Sequence, residues 1–397
     1  MHEEKLCVLH VTALGDAEAL ETLRHATKVI AALGVGQLLI ALDEGRAGED
    51  ASWGAAPGAE VRTLRCAGLS IFGKIRALQL ELAKLPQGSL YAVHFHGVGP
   101  CLLGSQALRG TRMQGRVVYS PHLAQAAAPW TAALLGRLAP GRLDAMEFAS
   151  LTASLTDAQT LSRLLKRSAE VLPHPVSSVY FEAAREEDAR PNIVADGFGI
   201  EAVDVVTRLS VLLNGRDARL PFSWLGAASA RARAQLEAAG VQLCDAGHDA
   251  DKAQWLSRAS AFIHISSSNR LPIPVAQAMA AGVPCLVSDT PAHRALIHHG
   301  ETGFVCTSER DVLEKLVLLL RDRAERRQVG QAARAEAERR FTLHHFERAL
   351  LRAYGVSAGQ AAHTPGAAGL SLVQGFKHDP LPAARQRVSA IDVARKA

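Results

Sequence analysis

Short apolar runs alternate with amphipathic stretches along nearly the whole chain. Residues 6–11 form a continuous apolar run closed by the turn Thr12-Ala13-Leu14-Gly15-Asp16, which predicts a buried parallel strand. Leu20, Leu23, Ala26, Thr27, Ile30 and Leu33 then recur at helical spacing, Gly34 and Gly36 end the helix, and residues 38–42 give a second strand. The same signal predicts strands at 91–96, 117–120, 193–195, 220–225, 241–244, 261–265 and 285–287, with helical segments between them. Strands that alternate with helices in this way imply an α/β fold with doubly wound parallel sheets rather than a repeat array. Residues 43–60 read as a polar loop and 123–150, rich in alanine and leucine, as packed helices.

One stretch, residues 266–304, carries the densest local grammar. The run Ala261-Phe262-Ile263-His264-Ile265 leads into three serines, and Pro272 and Pro274 suit the first turn of a helix. Gly282 fits the left-handed position that closes this helix, and Pro284 prevents its continuation. Cys285-Leu286-Val287 gives the next strand, and Ser288-Asp289-Thr290 supplies caps for another helix. The loop therefore sets polar groups at a helix N-terminus above strand ends, where open α/β sheets bind anions.

At 397 residues with 48% apolar content, the chain is long enough for two cores. A formal net charge of +5 is mild, and is compatible with phosphorylated ligands, an anionic membrane surface or an ordinary basic protein. No nucleic-acid signature is present. The six cysteines are scattered without a CxxC pair, so reduced core thiols are expected and no metal site. The N-terminus does not read as a signal peptide, and no run approaches the ~20 apolar residues of a spanning helix, so a cytoplasmic location is expected. Residues 69–85 place Ile71, Phe72, Ile75, Leu78, Leu82 and Leu85 at helical spacing with Lys74, Arg76 and Lys84 among them. That pattern reads either as a core-packing helix or as an interfacial membrane helix.

The stretch 266–304 resembles the donor-site signature of family 4 (retaining, GT-B) glycosyltransferases, which runs approximately E-G-F-G-L-P-x-x-E-A-M-A-x-G-x-P-V-V-x-S-D and then x-D-G-x-T-G. This chain supplies Ala278-Met279-Ala280, Gly282, Pro284, Ser288-Asp289, Gly300, Thr302 and Gly303 in an ungapped match. The resemblance extends to the strand end at His96, which is similar to the family's H-x-H-S, to Pro121-His122, similar to its T-x-H, and to Pro173-His174-Pro175-Val176 at the domain crossing.

The resemblance implies a GT-B architecture, two doubly wound Rossmann-like domains facing across a cleft. Residues 1–172 would form the acceptor-side domain and 173–340 the donor domain, with 341–355 a closing helix that returns to the first and 356–397 a disordered tail. It implies a glycosyltransferase of the hexosyl class that moves sugar from a nucleotide-sugar donor to a glycan or polyprenyl-linked acceptor with retention, in cell-surface polysaccharide synthesis. No cofactor or metal is implied. The location implied is cytoplasmic, with peripheral contact at the inner membrane face. His122 would lie beside the transferred sugar as the catalytic residue. Asn269, Arg270, Leu271, Gln277 and Gly197 would bind the donor, with backbone N–H groups around Leu271 to Ile273 facing the anion. Gly15 and His96 would lie on the acceptor side.

Four positions depart from the pattern. The family's paired glutamates are Asn269 and Gln277 here, eight residues apart, and its diphosphate-holding Arg and Lys fall at Phe198 and near Glu201. An acid beside a diphosphate repels it, with Arg208 and Arg216 as conceivable substitutes from elsewhere. A second reading therefore stands beside the enzyme: a pseudoenzyme that keeps the fold and acts as an assembly partner of an active transferase. A sugar-nucleotide epimerase is a third.

Overall fold

The computed structural model describes residues 7–14, 17–45, 59–85, 90–109, 116–122, 148–153, 155–165, 168–172, 174–186, 191–197, 199–215, 220–244, 248–268 and 271–355. These fall into two compact units, one of residues 1–174 with 346–397, the other of residues 175–345. Gly15, Phe198, Arg216, Asn269, Arg270 and the tail 356–397 lie outside the described residues.

The first unit runs β1 (Cys7–Ala13), α1 (Ala17–Ala32), β2 (Gly36–Asp43), β3 (Glu60–Arg65), α2 (Ile71–Ala83), β4 (Leu90–His96), α3 (Val98–Ala107), β5 (Arg116–Ser120), β6 (Phe148–Thr152), α4 (Leu155–Leu165) and β7 (Glu170–Val171). All pairings are parallel, in the order β3-β2-β1-β4-β5-β6-β7. Side chains alternate across the sheet as the strand period requires. Leu9, Val11, Ile40, Val93, Phe95, Val117 and Tyr119 pack on one face with Leu78 and Leu82 of α2 and Leu102 of α3. Val8, Ala92, Val118 and Leu151 pack on the other, against Ala26 and Ile30 of α1, Leu33 just beyond it and residues 346–354.

Strand β3 begins at the last residue of the loop expected over 43–60 and is not among the predicted strands; its exposed edge position explains why Glu60, Arg62 and Arg65 sit in it. The helices expected up to residue 150 give way to β6 from Phe148, and 123–147 lie outside the described residues.

The second unit runs α5 (Ser178–Glu182), β8 (Ile193–Gly197), α6 (Ile200–Asn214), β9 (Phe222–Trp224), α7 (Ala230–Ala238), β10 (Gln242–Leu243), α8 (Asp249–Ser257), β11 (Ala261–Ile265), α9 (Ile273–Ala280), β12 (Cys285–Ser288), α10 (Pro291–Leu296), β13 (Gly303–Cys306), α11 (Glu309–Arg321) and α12 (Arg323–Phe341). α13 (Leu343–Tyr354) follows and carries the chain back into the first unit. The second sheet is also parallel, ordered β10-β9-β8-β11-β12-β13. Caps close its helices where hydroxyls or acids precede them: Ser229, Thr290, Ser308 and Asp322 each accept a first-turn N–H.

The end of α9 shows how firmly the stretch 266–304 is built. Gly282 has φ +71°, its N–H donates to the Met279 carbonyl, and the Val283 N–H donates to the Ala278 carbonyl. This is a Schellman closure, which needs a residue that tolerates the left-handed backbone. The Gly282 carbonyl lies against α12 at Gly330, where a Cβ would come within 2.4 Å of it. Val275, Ala278 and Met279 of α9, Phe262 and Val287 of the sheet, and Ala333, Ala337 and Phe341 of α12 form one buried cluster. None of the six cysteines is in a disulfide, and five are buried.

Candidate functional site

In each unit, polar side chains gather at the C-terminal ends of the strands, the edge at which open parallel sheets bind ligands. In the first unit these are His10 and Thr12 of β1, His94 and His96 of β4, Ser120 of β5 and His122 just beyond it, all buried. His10 and His94 are register partners on adjacent strands, as are Thr12 and His96. They occupy the face that Val8 and Ala92 begin, so strand alternation stacks the imidazoles in one layer.

Hydrogen bonds link its rings to one another and to Ser120 and Tyr354, while His10 Nε2, Thr12 Oγ1 and His96 Nδ1 are buried without a partner among the described residues. His10 Nδ1 meets His96 Nε2 at 3.1 Å, His94 Nε2 meets Ser120 Oγ at 2.8 Å, and His94 Nδ1 meets the Tyr354 hydroxyl of α13 at 2.8 Å. The His94 and His96 ring centroids lie 3.8 Å apart, with the ring planes tilted by 32°. Burial holds all three imidazoles neutral. It pushes the His10 pKa down to about 4, against a small upward pull from the Gln37 side chain, and pushes His94 and His96 well below the usual 6.5, helped by the neighbouring imidazoles. One nitrogen from each of His10, His94 and His96 lies within 4.8 Å of the others, close enough to share a metal ion. His10 Nδ1 and His96 Nε2 face each other and both His94 nitrogens pair with Tyr354 and Ser120, which leaves His10 Nε2 and His96 Nδ1 as the buried, unpartnered nitrogens of the layer.

His122 differs from this layer. Its backbone has φ +51°, the one left-handed non-glycine among the described residues. That conformation is costly for a bulky side chain and marks a position held by its surroundings. The ring is 2% exposed and lies parallel to His174, with centroids 6.4 Å apart. The strand end thus fixes the orientation of the predicted catalytic residue. His96 is more enclosed than a strand-end position alone suggests, since it is fully buried against His10 and His94.

In the second unit, Gly197 ends β8 where a Cβ would meet Ala202 Cβ at 2.4 Å and the Ile265 carbonyl oxygen at 2.7 Å, so the turn into α6 admits only glycine. Glu201 is exposed in the first turn of α6, where its charge complements the positive end of the helix. Arg208 is not available as a substitute cation. It makes a bidentate pair with Glu309, Nε to Oε1 at 3.0 Å and Nη2 to Oε2 at 2.6 Å.

The ends of β11 and β12 are tied together, because Ser288 Oγ accepts from the Ser266 N–H at 3.0 Å and donates to the Ser266 carbonyl at 2.7 Å. Around them lies a cavity lined by Glu201, Ser266, Ser288, Asp289, Thr290 and Glu309, with no cationic side chain in its wall among the described residues, although Arg294 pairs with Asp289 and Arg208 with Glu309. Such a surface suits hydroxyl-rich ligands better than bare phosphate.

The start of α9 requires a correction. Backbone N–H groups at Leu271 to Ile273 were expected to face an anion, but Pro272 and Pro274 have none and the Ile273 N–H donates to the Leu271 carbonyl at 3.0 Å. Only the Leu271 amide of that group is left to serve. Leu271 is half-buried against the core of α9 and β11, and Gln277, one turn into α9, is half-buried as well.

Two side chains that sequence reasoning did not single out belong to this strand-end layer. Asp196, next to Gly197, has its carboxyl pKa raised, chiefly by burial, against the Gly197 N–H that it accepts at 2.6 Å and the charge of Lys252. His264 is its register partner on β11, with a pKa pushed down to about 3 by burial and by His293, whose ring stands edge-on at 5.3 Å. A carboxylate on a short apolar strand is the sequence signal that could have flagged Asp196. By contrast, the cations of this unit cluster at the opposite end of the strands, where Arg185, Arg258, Arg326, Arg327 and Arg334 line a groove beside Ser260 and Gly282.

Comparison with known proteins agrees with this architecture. The sequence from 226 to 336 matches the family model described as Glycosyl transferases group 1. N-acetyl-alpha-D-glucosaminyl L-malate synthase from Bacillus anthracis is 27% identical over 97 residues, a match that spans 24% of this chain and 26% of that relative's length. Among solved structures, a glycosyltransferase from Rickettsia africae superposes with TM-score 0.65 at 14% identity, covering 88% of this chain and 98% of that one. HepE from Anabaena, in complex with UDP-glucose, gives TM-score 0.64 at 12% identity over 88% of this chain and 99% of that one. Sucrose-phosphate synthase from Thermosynechococcus elongatus gives 0.62 at 13% over 88% and 98%. The chain therefore has the GT-B fold, two parallel-sheet Rossmann-like domains, with a match to the group 1 glycosyl transferase model over residues 226–336.

Proposed function

We propose that the protein is a glycosyltransferase that moves a sugar from a nucleotide-sugar donor to a glycan or lipid-linked acceptor with retention of configuration, in the synthesis of a cell-surface polysaccharide. The observation that carries this reading is the match of residues 226–336 to the group 1 glycosyl transferase model, which contains the whole β11–α9–β12 strand end. HepE, of the same fold, is seen with UDP and with UDP-glucose, so a uridine diphosphate sugar is the donor class assigned here. TarM of Staphylococcus aureus, also of this fold, is described with UDP and alpha-GlcNAc-glycerol, which supports a hydroxyl-bearing acceptor. The match to the group 1 model and the structural neighbours lend no support to the pseudoenzyme alternative, which rests on the altered donor positions.

In this reading the acceptor oxygen bonds to the anomeric carbon as the bond from that carbon to the diphosphate oxygen breaks. The acceptor proton passes to the departing diphosphate. Positioning and electrostatics supply the rate. His122, held by its left-handed backbone at the end of β5, hydrogen-bonds the donor sugar. Gln277 bonds the ribose hydroxyls from α9. With two prolines removing backbone donors at that helix start, Arg270 and Asn269 carry the contact to phosphate and sugar. Gly197 lets the backbone pass close to the nucleotide, and Gly15 and His96 belong to the acceptor side.

A thermal-shift screen against UDP, GDP, ADP and dTDP and their sugars tests the proposal. UDP and one UDP-sugar are expected to raise Tm, since a ligand that binds only the folded state stabilises it. His122→Ala should keep UDP binding and lose sugar transfer. Failure of every nucleotide to bind at millimolar concentration would overturn the enzyme reading, and unchanged turnover in His122→Ala would remove the catalytic assignment.

A further inference from the structure

Helix α2 presents two apolar faces. Leu78 and Leu82 are buried in the core of the first unit, and Ile75 and Leu85 pack partly against it. Ile71 and Phe72 do not join them, contrary to the core-packing reading of all six positions: Phe72 is 78% exposed and Ile71 52%. Leu80, 50% exposed, and Leu69, 42% exposed, continue this outer surface. Four of the ten large apolar side chains exposed among the described residues thus fall within residues 69–80. Single exposed apolar residues need no explanation, but a contiguous group does.

The chemistry around the patch is one-sided. Phe72, Arg76 and Leu80 follow at four-residue spacing along one exposed stripe of the helix. The neighbouring charges Arg62, Lys74 and Lys84 are engaged by Glu60, Glu44 and Glu81, at 2.8, 2.5 and 2.5 Å. Arg76 on the stripe and Arg65 at the end of β3 have no carboxylate partner among the described residues, and both are exposed. The patch therefore offers aromatic and aliphatic side chains at the entry of a capped helix, with the guanidinium of Arg76 among them and that of Arg65 beside it at the end of β3, opposite Asp43.

We propose that this surface, Leu69, Ile71, Phe72 and Leu80 with Arg65 and Arg76, docks the protein on an anionic phospholipid bilayer. The apolar side chains enter the boundary between headgroups and acyl chains, while the arginines contact lipid phosphate, the division of labour of an interfacial helix. A two-fold contact with a second copy fits less well, because it would set the same arginines against each other. The inference rests on unit 1 alone and does not depend on the transferase reading, although it would bring the protein to a lipid-linked acceptor.

Flotation of the full chain with vesicles tests it, with pure phosphatidylcholine compared against phosphatidylcholine mixed with phosphatidylglycerol. Binding is expected with the anionic vesicles, and should weaken as salt is added. Ile71→Ser combined with Phe72→Ser should lower the partition constant by about tenfold or more, given the apolar area withdrawn from the interface. Arg76→Glu should remove the preference for phosphatidylglycerol. Both variants alter exposed side chains, so Tm and the nucleotide-induced shift should stay at wild-type values, which separates this outcome from failure of the enzyme reading. Wild-type protein that ignores anionic vesicles at low salt, or serine variants that bind as well as wild type, would overturn the proposal. Light scattering that shows a dimer dissolved by the serine variants, without vesicle binding, would assign the patch to self-association instead and likewise overturn it.

Discussion

The imidazole layer of the first unit makes acid the most informative perturbation of this protein. In the unfolded chain His10 titrates near 6.5, and in the folded chain at about 4, because burial disfavours the charged ring. A base whose folded pKa is lowered binds fewer protons folded than unfolded. Its contribution to stability is therefore whole above pH 6.5 and is lost as the pH falls toward 4. Across that window a single such group changes stability by ~1.4 kcal/mol per pH unit, so His10 alone removes on the order of 3 kcal/mol by pH 4. His94 and His96 are shifted the same way and steepen the loss. With a typical domain stability of about 5–15 kcal/mol, the first unit should begin to open before carboxylate titration dominates.

Hydrogen exchange read by mass spectrometry on peptides from β1 and β4, in buffers between neutral pH and about pH 4.5 and corrected for intrinsic exchange, isolates this unit from the second, where His264 has its own lowered pKa. Protection of those peptides should fall steeply below pH 6.5. His10→Gln, which replaces a titrating ring with a neutral amide, should flatten the fall by about one proton's worth of slope while starting from lower stability. If the wild-type protection is flat across the window, or if His10→Gln falls in parallel with wild type, the assignment of acid sensitivity to the buried imidazoles is wrong.

Other substitutions probe single contacts. Tyr354→Phe removes the hydroxyl that meets His94 Nδ1 at 2.8 Å and leaves that nitrogen buried without its partner; thermal unfolding should show a loss of about 1–3 kcal/mol. Gly197→Ala drives a Cβ into Ala202 and the Ile265 carbonyl, so β8 or α6 must shift, and a loss of ~1–3 kcal/mol with a lowered Tm is expected. Glu309→Gln breaks the bidentate pair with Arg208, but both side chains are substantially exposed. A change below ~1 kcal/mol in urea unfolding is expected, and a larger one would mean that the pair does more than decorate the surface.

The fold was legible wherever one physical requirement dominated the sequence. Strands buried on both faces need continuous apolar runs, and Leu9, Val93, Val117, Ile193 and Ile263 announce them. Gly282 and Pro284 punctuate α9 because few other residues satisfy the backbone there. Strand β3 was not legible, since an exposed edge strand carries Glu60, Arg62 and Arg65 and loses the alternation that identifies a half-buried strand. The orientation of α2 was ambiguous for a related reason. Apolar residues at 71, 72, 75, 78, 82 and 85 cover more than one face of a helix, and periodicity alone does not say which face meets the sheet. At the candidate site, His96 and His122 were singled out by their likeness to the family's strand ends, whereas the position of His10 depended on the β1–β4 register, which pairs residues 84 apart. The donors missing at Ile273 were written in Pro272 and Pro274, whose lack of an N–H suits a helix start and equally empties it of hydrogen-bond donors.

The return of α13 to the first unit has a consequence for how the protein is made. The second unit is one uninterrupted segment, and its strands and helices are complete when residue 345 has left the ribosome. The first unit is not, although its sheet is synthesised earlier. Until Phe346, Leu350 and Tyr354 emerge, Val8, Ala92 and Val118 lack their cover and His94 lacks the Tyr354 hydroxyl. The N-terminal unit is thus the last to be completed, and a chain stalled or cleaved just after residue 345 would hold a finished C-terminal unit and an open first sheet prone to aggregation.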